Sequence, residues 1–203
     1  MKTILTALLM GFFFLVACNN SQSNRQADAD SAQMEKPSEE MATESESSEE
    51  EARSKRPSPP RTASGAIGDV SVEIAYSSPS MKGRKIWGGL VPYGEVWRTG
   101  ANEATTITLS KTALVEGKKI AAGKYALFTI PGEDKWTVIF NSVAEQWGSY
   151  EYDKAKDALR VEVTPQPLND HVEALEFVVE DGKVILRWEK RAVPISIAPV
   201  PAG

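Results

Sequence analysis

In "VSVEIAY", Val70, Val72, Ile74 and Tyr76 fall on one side of an extended chain, and Ser71 and Glu73 fall on the other. "ALRVEVT" repeats the pattern, with Leu159, Val161 and Val163 alternating with Arg160, Glu162 and Thr164. Alternation of this kind marks strands with one wet and one buried face. "LEFVV" and "KVILRWE" flank Asp181-Gly182, a favoured two-residue hairpin turn, so Leu175, Phe177 and Val179 should share a face with Val184, Leu186 and Trp188. "KYALFTIP" and "KWTVIFN" are apolar or aromatic on both faces and are expected to be central, doubly covered strands. "ATTITLS" and a hairpin around Glu116-Gly117 add further strands. No stretch of the domain sustains a 3.6-residue period, and its one helical expectation is a turn or two at Ser142 to Gln146. The predicted fold is all-β: a sandwich or flattened barrel of about eight or nine short, mostly antiparallel strands.

The N-terminal third reads differently. Ile4 to Ala17 is an apolar run of 14 residues behind Lys2, shorter than the about 20 residues that a membrane-spanning helix needs. It fits a secretory signal over residues 1–17. Leu15-Val16-Ala17-Cys18 then reads as a lipobox, with Cys18, the chain's single cysteine, as the lipidation site. Acyl chains such as palmitate on Cys18 would anchor the protein to the membrane without spanning it. Asn19, rather than aspartate, follows the cysteine, which leans toward the outer membrane of the cell envelope, on either of its faces. Residues 18–63 are rich in Ser and Glu and are expected to be a disordered tether. Its basic end, "RSKRPSPPR" from Arg53, reads as solvated linker. Residues 64–203 remain as one domain. A net charge of −5 and a pI near 5.1 give no basic footprint for nucleic acid.

Between Pro79 and Asn102 the chain shows neither period. Loops of this length are uncommon in compact domains and are often functional. Its large residues Trp87, Leu90, Tyr93 and Trp97 are costly to leave in water, so the segment should fold down as an ordered cap rich in Gly, Trp and Arg. If the following strand buries Ile107 and Leu109, Thr105 and Glu103 continue the inward set. An inward carboxylate needs a partner. Arg98 is the expected one, with Arg84 as the other near candidate and Asn102 closing the network. Two arrangements follow: a sealed polar plug, or a pocket in which arginine meets a ligand and Trp97, Tyr93 or Trp147 offers a stacking surface. The expected ligand-binding set is Arg84, Tyr93, Trp97, Arg98, Asn102, Glu103 and Trp147.

Other chemistry is sparse. His171 is the single histidine, which argues against a histidine-based triad or a multi-histidine metal site, and it reads as a surface residue. Asp153 and Asp157 lack the clustered oxygen ligands of a calcium loop. Glu95, Glu103, Asp134 and Asp153 could supply an acid/base pair for glycoside hydrolysis if two of them converge. No cofactor or metal is expected.

"GRKIWGGLVPYGEVWRTGANEAT", "YALFTIPGEDKWTVIFN" and "QWGSYEYD" resemble the family catalogued as domain of unknown function 2911, over about residues 67–180. The resemblance implies a β-rich domain of a secreted or lipid-anchored bacterial protein and implies no activity or catalytic residue. The leading expectation is a non-catalytic envelope lipoprotein whose sandwich binds a small polar ligand, a glycan or a partner protein. The alternatives are a carboxylate-based hydrolase of envelope polysaccharide and a purely structural envelope protein.

Overall fold

The computed structural model describes residues 50–201. The expected signal segment, Cys18 and most of the tether lie outside the described residues. After a helical turn at residues 50–54, ten strands follow: β1 (Pro60–Ile67), β2 (Val70–Ser77), β3 (Thr106–Leu109), β4 (Ala113–Val115), β5 (Lys118–Ile120), β6 (Gly123–Ile130), β7 (Trp136–Asn141), β8 (Asp157–Val163), β9 (Gln166–Glu180) and β10 (Lys183–Pro199). They form two antiparallel sheets, one in the order β1-β2-β3-β6-β7-β8 and the other β5-β4-β10-β9. The arrangement is a sandwich, and its sheets do not close into a barrel. β1 begins inside the basic stretch at Pro60, because "PRTASGAI" pairs residue for residue with β2.

The inward faces are those the alternation predicts. Val70, Val72, Ile74 and Tyr76 from one sheet, and Val184, Leu186 and Trp188 from the other, are buried in one continuous core. Asp181 and Gly182 both take positive φ, 48° and 73°, which is the left-handed pair a tight hairpin turn requires. The hairpin is longer than its two apolar words suggest. Register shifts on both sides of Glu189 reset the alternation, and β10 continues inward with Val193, Ile195 and Ile197. A bulge of this kind hides strand continuity from a period-two reading.

β6 and β7 are covered on both faces, as expected. Their outer side carries a second cluster of Ala104, Ala126, Phe128 and Ile139, against which Val96, Ile130 and Tyr152 pack. Trp97 exchanges both backbone hydrogen bonds with Thr129, at 2.8 and 2.9 Å, and so continues the sheet where β3 has ended. Side chains alternate across that short bridge. Val96 joins the outer cluster and Trp97 packs against the main core.

The helical expectation at Ser142 to Gln146 is corrected. Asn141 Oδ1 accepts from the Val143 backbone N–H and from Gln146 Nε2, at 3.1 and 3.0 Å, and holds the segment in an irregular turn. Asparagine offers a local alternative to helix in this way. The short helical element here lies later, a single 3-10 turn at Lys154–Lys156 capped by Asp153 Oδ1.

Candidate functional site

The segment from Pro79 to Asn102 is an ordered cap. Ile86, Trp87 and Val91 are buried, and the backbone closes on itself through Val91 N–H to Ile86 C=O at 3.0 Å and Gly88 N–H to Val91 C=O at 2.9 Å. Gly94 N–H donates to Pro131 C=O at 2.8 Å and ties the cap to the end of β6. Glycine is required at Gly88, where φ is +72° and an added Cβ would lie 2.9 Å from the Tyr93 ring. Tyr93 is thereby explained as packing within the cap. It does not line the pocket described below. Leu90, expected to be buried, is 45% exposed and lines the pocket's wall instead.

Four tryptophans meet beneath the cap. The Trp87 ring centroid lies 4.9 Å from Trp136, 5.7 Å from Trp188 and 5.9 Å from Trp97, all edge to face. Trp97 and Trp188 lie nearly parallel, 6.0 Å apart at 18°. Edge-to-face and offset arrangements suit the aromatic quadrupole. The group is polarised by Arg191, whose Cζ sits 5.9 Å from the Trp87 centroid.

A pocket of about 320 Å³ opens over this cluster. Trp97, Val91 and Leu90 supply its apolar wall, with buried Trp188 behind, and Arg84, Arg98 and Asn102 supply its polar groups. Arg84 is fixed by two donations, from Nε to Met81 C=O at 2.9 Å and from Nη2 to Ser80 C=O at 2.6 Å. Asn102 Nδ2 donates to Ser58 C=O at 3.1 Å. Trp97 Nε1 donates to Gly100 C=O at 3.2 Å. Arg98 differs: its Nε is buried without a partner among the described residues. Of the expected site residues, the structure therefore brings together Arg84, Trp97, Arg98 and Asn102.

Glu103 and Trp147 lie elsewhere, and the expected Arg98–Glu103 pair does not form. Thr99 and Asn102 both take left-handed backbone, φ 58° and 56°, and turn the chain tightly between the two residues. Thr105 Oγ1 closes that turn on Thr99 C=O at 2.9 Å and, fully buried, keeps the inward register of Ile107 and Leu109. Glu103 instead accepts from Arg56 Nη1 at 2.7 Å, with Ser77 Oγ at 3.4 Å. It shares a second groove, of about 390 Å³, with Glu145, Glu151 and Trp147, whose indole is 55% exposed. Neither cavity that Glu103 lines includes Glu95, Asp134 or Asp153, so the expected acid/base pairs do not converge there. Burial by itself would raise the Glu103 carboxyl, but the Arg56 hydrogen bond, a backbone N–H and the charges of Arg56 and Arg53 outweigh it and hold the group below its ordinary value. That is the wrong direction for a general acid.

A depressed carboxyl pKa stabilises the fold above the unfolded-state value and ceases to do so as pH falls through the lower folded value. Glu103→Gln is therefore expected to cost at most about 1 kcal/mol near neutral pH, since the pair is partly solvated. The difference should shrink as pH drops below the ordinary value of 4.5. Urea titrations of both proteins at several pH values measure this, and a gap that widens toward acid would contradict it.

Sequence reasoning missed Arg56, Ser58 and the pocket role of Trp188. The first two sit in the basic stretch read as linker, where nothing local shows that Arg56 meets a carboxylate 47 positions away. Trp188 was legible as inward-facing, but not as lying behind Trp97. Asp153 and Asp157 have structural uses: Asp153 caps the 3-10 turn, and Asp157 accepts from Tyr152, Arg160 and Asn141. His171 is exposed, as read.

The fold and site together define a class: a two-sheet sandwich with an ordered tryptophan- and arginine-rich cap enclosing a cationic pocket. The chain belongs to the family described as protein of unknown function (DUF2911), whose model matches residues 58–197. The match begins beside β1 and runs nearly to the end of β10, wider at both ends than the quoted words alone. No curated protein and no solved structure matches the chain.

Proposed function

We propose that this protein is a lipid-anchored module of the cell envelope that binds a small polar ligand in the pocket between Arg84 and Arg98. Anchoring through Cys18 rests on the lipobox. The binding reading rests on one observation: Arg98 lines the pocket, and the carboxylate expected to pair with it is held by Arg56 instead. An arginine that faces a cavity with no carboxylate paired to it among the described residues is better explained by a ligand than by a plug.

The two readings predict opposite results for Arg98→Met, which keeps the alkyl stem and deletes the donors. A plug that pins the cap would lose stability. A ligand site should not: deleting the uncompensated Nε should leave the ligand-free unfolding free energy unchanged or raise it, by up to about 3 kcal/mol. Screening the full-length chain by thermal shift against sugars, organic acids and amines should find compounds that stabilise the wild type and fail on Arg98→Met. At a hundredfold excess over Kd, a ligand adds about 2.7 kcal/mol. If Arg98→Met melts far earlier with no compound present, or responds to every compound as the wild type does, the reading fails.

A further inference from the structure

We infer that the ligand is a small organic anion, an oxyanion group attached to a flat apolar body; this rests on the pocket reading above and narrows it. Charge is the first feature that favours an anion. The chain as a whole is acidic, at −5, yet among the described residues the pocket is lined by two arginines and by no aspartate or glutamate. Each of the two nearest carboxylates in the sequence is accounted for elsewhere: Glu103 lies in the neighbouring groove on Arg56, and Glu95 is exposed and does not line the pocket. Two guanidinium groups sharing a cavity repel each other unless an anion sits with them. Arginine is also the residue whose planar fork matches a carboxylate or phosphate edge.

The balance of donors and acceptors favours the same ligand. Four backbone carbonyls each already accept a hydrogen bond from the site's own donors: Met81 and Ser80, beside the pocket, from Arg84, and Gly100 and Ser58, in its lining, from Trp97 and Asn102. A neutral sugar presents several hydroxyls that donate as well as accept, and the lining offers their protons few side-chain acceptors, Asn102 Oδ1 and Ser58 Oγ, against two guanidinium groups. An oxyanion only accepts. The pocket's remaining hydrogen-bonding capacity, mostly guanidinium N–H, therefore suits an anion better than a polyol.

The pocket's shape narrows the ligand further. Beside the arginines lies an indole wall: Trp97 is half-buried, and Trp188, nearly parallel to it, closes the space behind. Val91 and Leu90 extend this apolar side. A volume of about 320 Å³ lies at the small end of the range of about 300–1,000 Å³ for ligand sites. The combination of one charged side and one flat apolar side selects an aromatic or similarly planar acid over a bare inorganic ion.

The test is an NMR titration of the full-length chain with benzoate, phenyl phosphate, inorganic phosphate, benzyl alcohol, benzylamine and glucose, following the Trp97 indole and Arg98 Nε–H signals. Benzoate or phenyl phosphate should shift both signals. Benzyl alcohol should bind about tenfold or more weakly, and Arg98→Gln should weaken the anions by a similar factor. Arg84→Gln, at an exposed position, should do the same and guards against a folding defect at Arg98. The benzoate and phenyl phosphate arms separate carboxylate from phosphate as the favoured oxyanion. Inorganic phosphate binding as tightly as phenyl phosphate would overturn the planar body. Glucose, benzyl alcohol or benzylamine binding at Trp97 more tightly than either aromatic anion would overturn the anion while leaving the pocket a ligand site. If no probe moves either signal, the inference fails for these anions. The thermal-shift screen then decides the broader ligand reading separately.

Discussion

Trp87→Ala is expected to destabilise the domain by about 3–5 kcal/mol, among the larger effects available to a single substitution. Trp87, like Trp97, touches all three other tryptophans of the cluster, and at 5% exposed it is the more deeply buried of the two. Truncation would leave a cavity walled by Trp97, Trp136 and Trp188, and the sheet residues beneath, fixed in their strands, can close it only in part. Trp87 Nε1 is buried without a partner among the described residues. Trp87→Phe therefore keeps most of the apolar volume and removes an unsatisfied donor, and its loss should be well below that of alanine. Urea unfolding of the full-length chain measures both. Equal losses for Phe and Ala would mean that the indole's polar edge matters more than its bulk, contrary to this account. Affinity at the pocket should fall with Trp87→Ala as well, because Trp97 rests on the Trp87 ring edge.

The same cluster shows how far the fold could be read from the chain. Alternation in "VSVEIAY" and "ALRVEVT" and double coverage in "KYALFTIP" and "KWTVIFN" are local signals, set by which faces water touches, and they appear in β2, β8, β6 and β7 as expected. The cost of exposing Trp87 and Trp97 also made the cap legible as packed. Leu90 shows the limit of that reasoning, because burial cost ranks residues without saying which member of a tight turn must face out. The pairing of Arg98 with Glu103 was inferred from nearness in sequence, and two left-handed residues between them were enough to separate them. Arg56 carried no local signal at all, since its use depends on where β1 leads the chain. The pocket's cationic half was thus visible as residues, and its geometry was not.

Asp157→Ala is expected to cost about 2–3 kcal/mol, below the range for a fully buried ion pair because the Arg160 side chain left behind is 31% exposed. The Asp157 side chain is 6% exposed and accepts from Arg160 Nε at 2.7 Å, Tyr152 Oη at 2.7 Å and Asn141 Nδ2 at 2.9 Å. Removing it leaves the Arg160 guanidinium near Tyr152 Oη without its counter-charge. It also weakens the hold on Asn141, which meets Asp157 through Nδ2 and organises the turn that leads to Trp147 through its amide oxygen. Asp157→Asn keeps two acceptor lone pairs and should recover part of the loss. Hydrogen exchange separates local from global effects: in Asp157→Ala, protection should fall most across residues 142–156 and least in β2 and β10. The 320 Å³ pocket lies over the tryptophan cluster rather than on this turn, so anion affinity at Arg98 should be retained at temperatures where the variant is folded. A collapse of that affinity together with the turn would mean that the two grooves are one coupled site, and Trp147 would then belong with Trp97 after all.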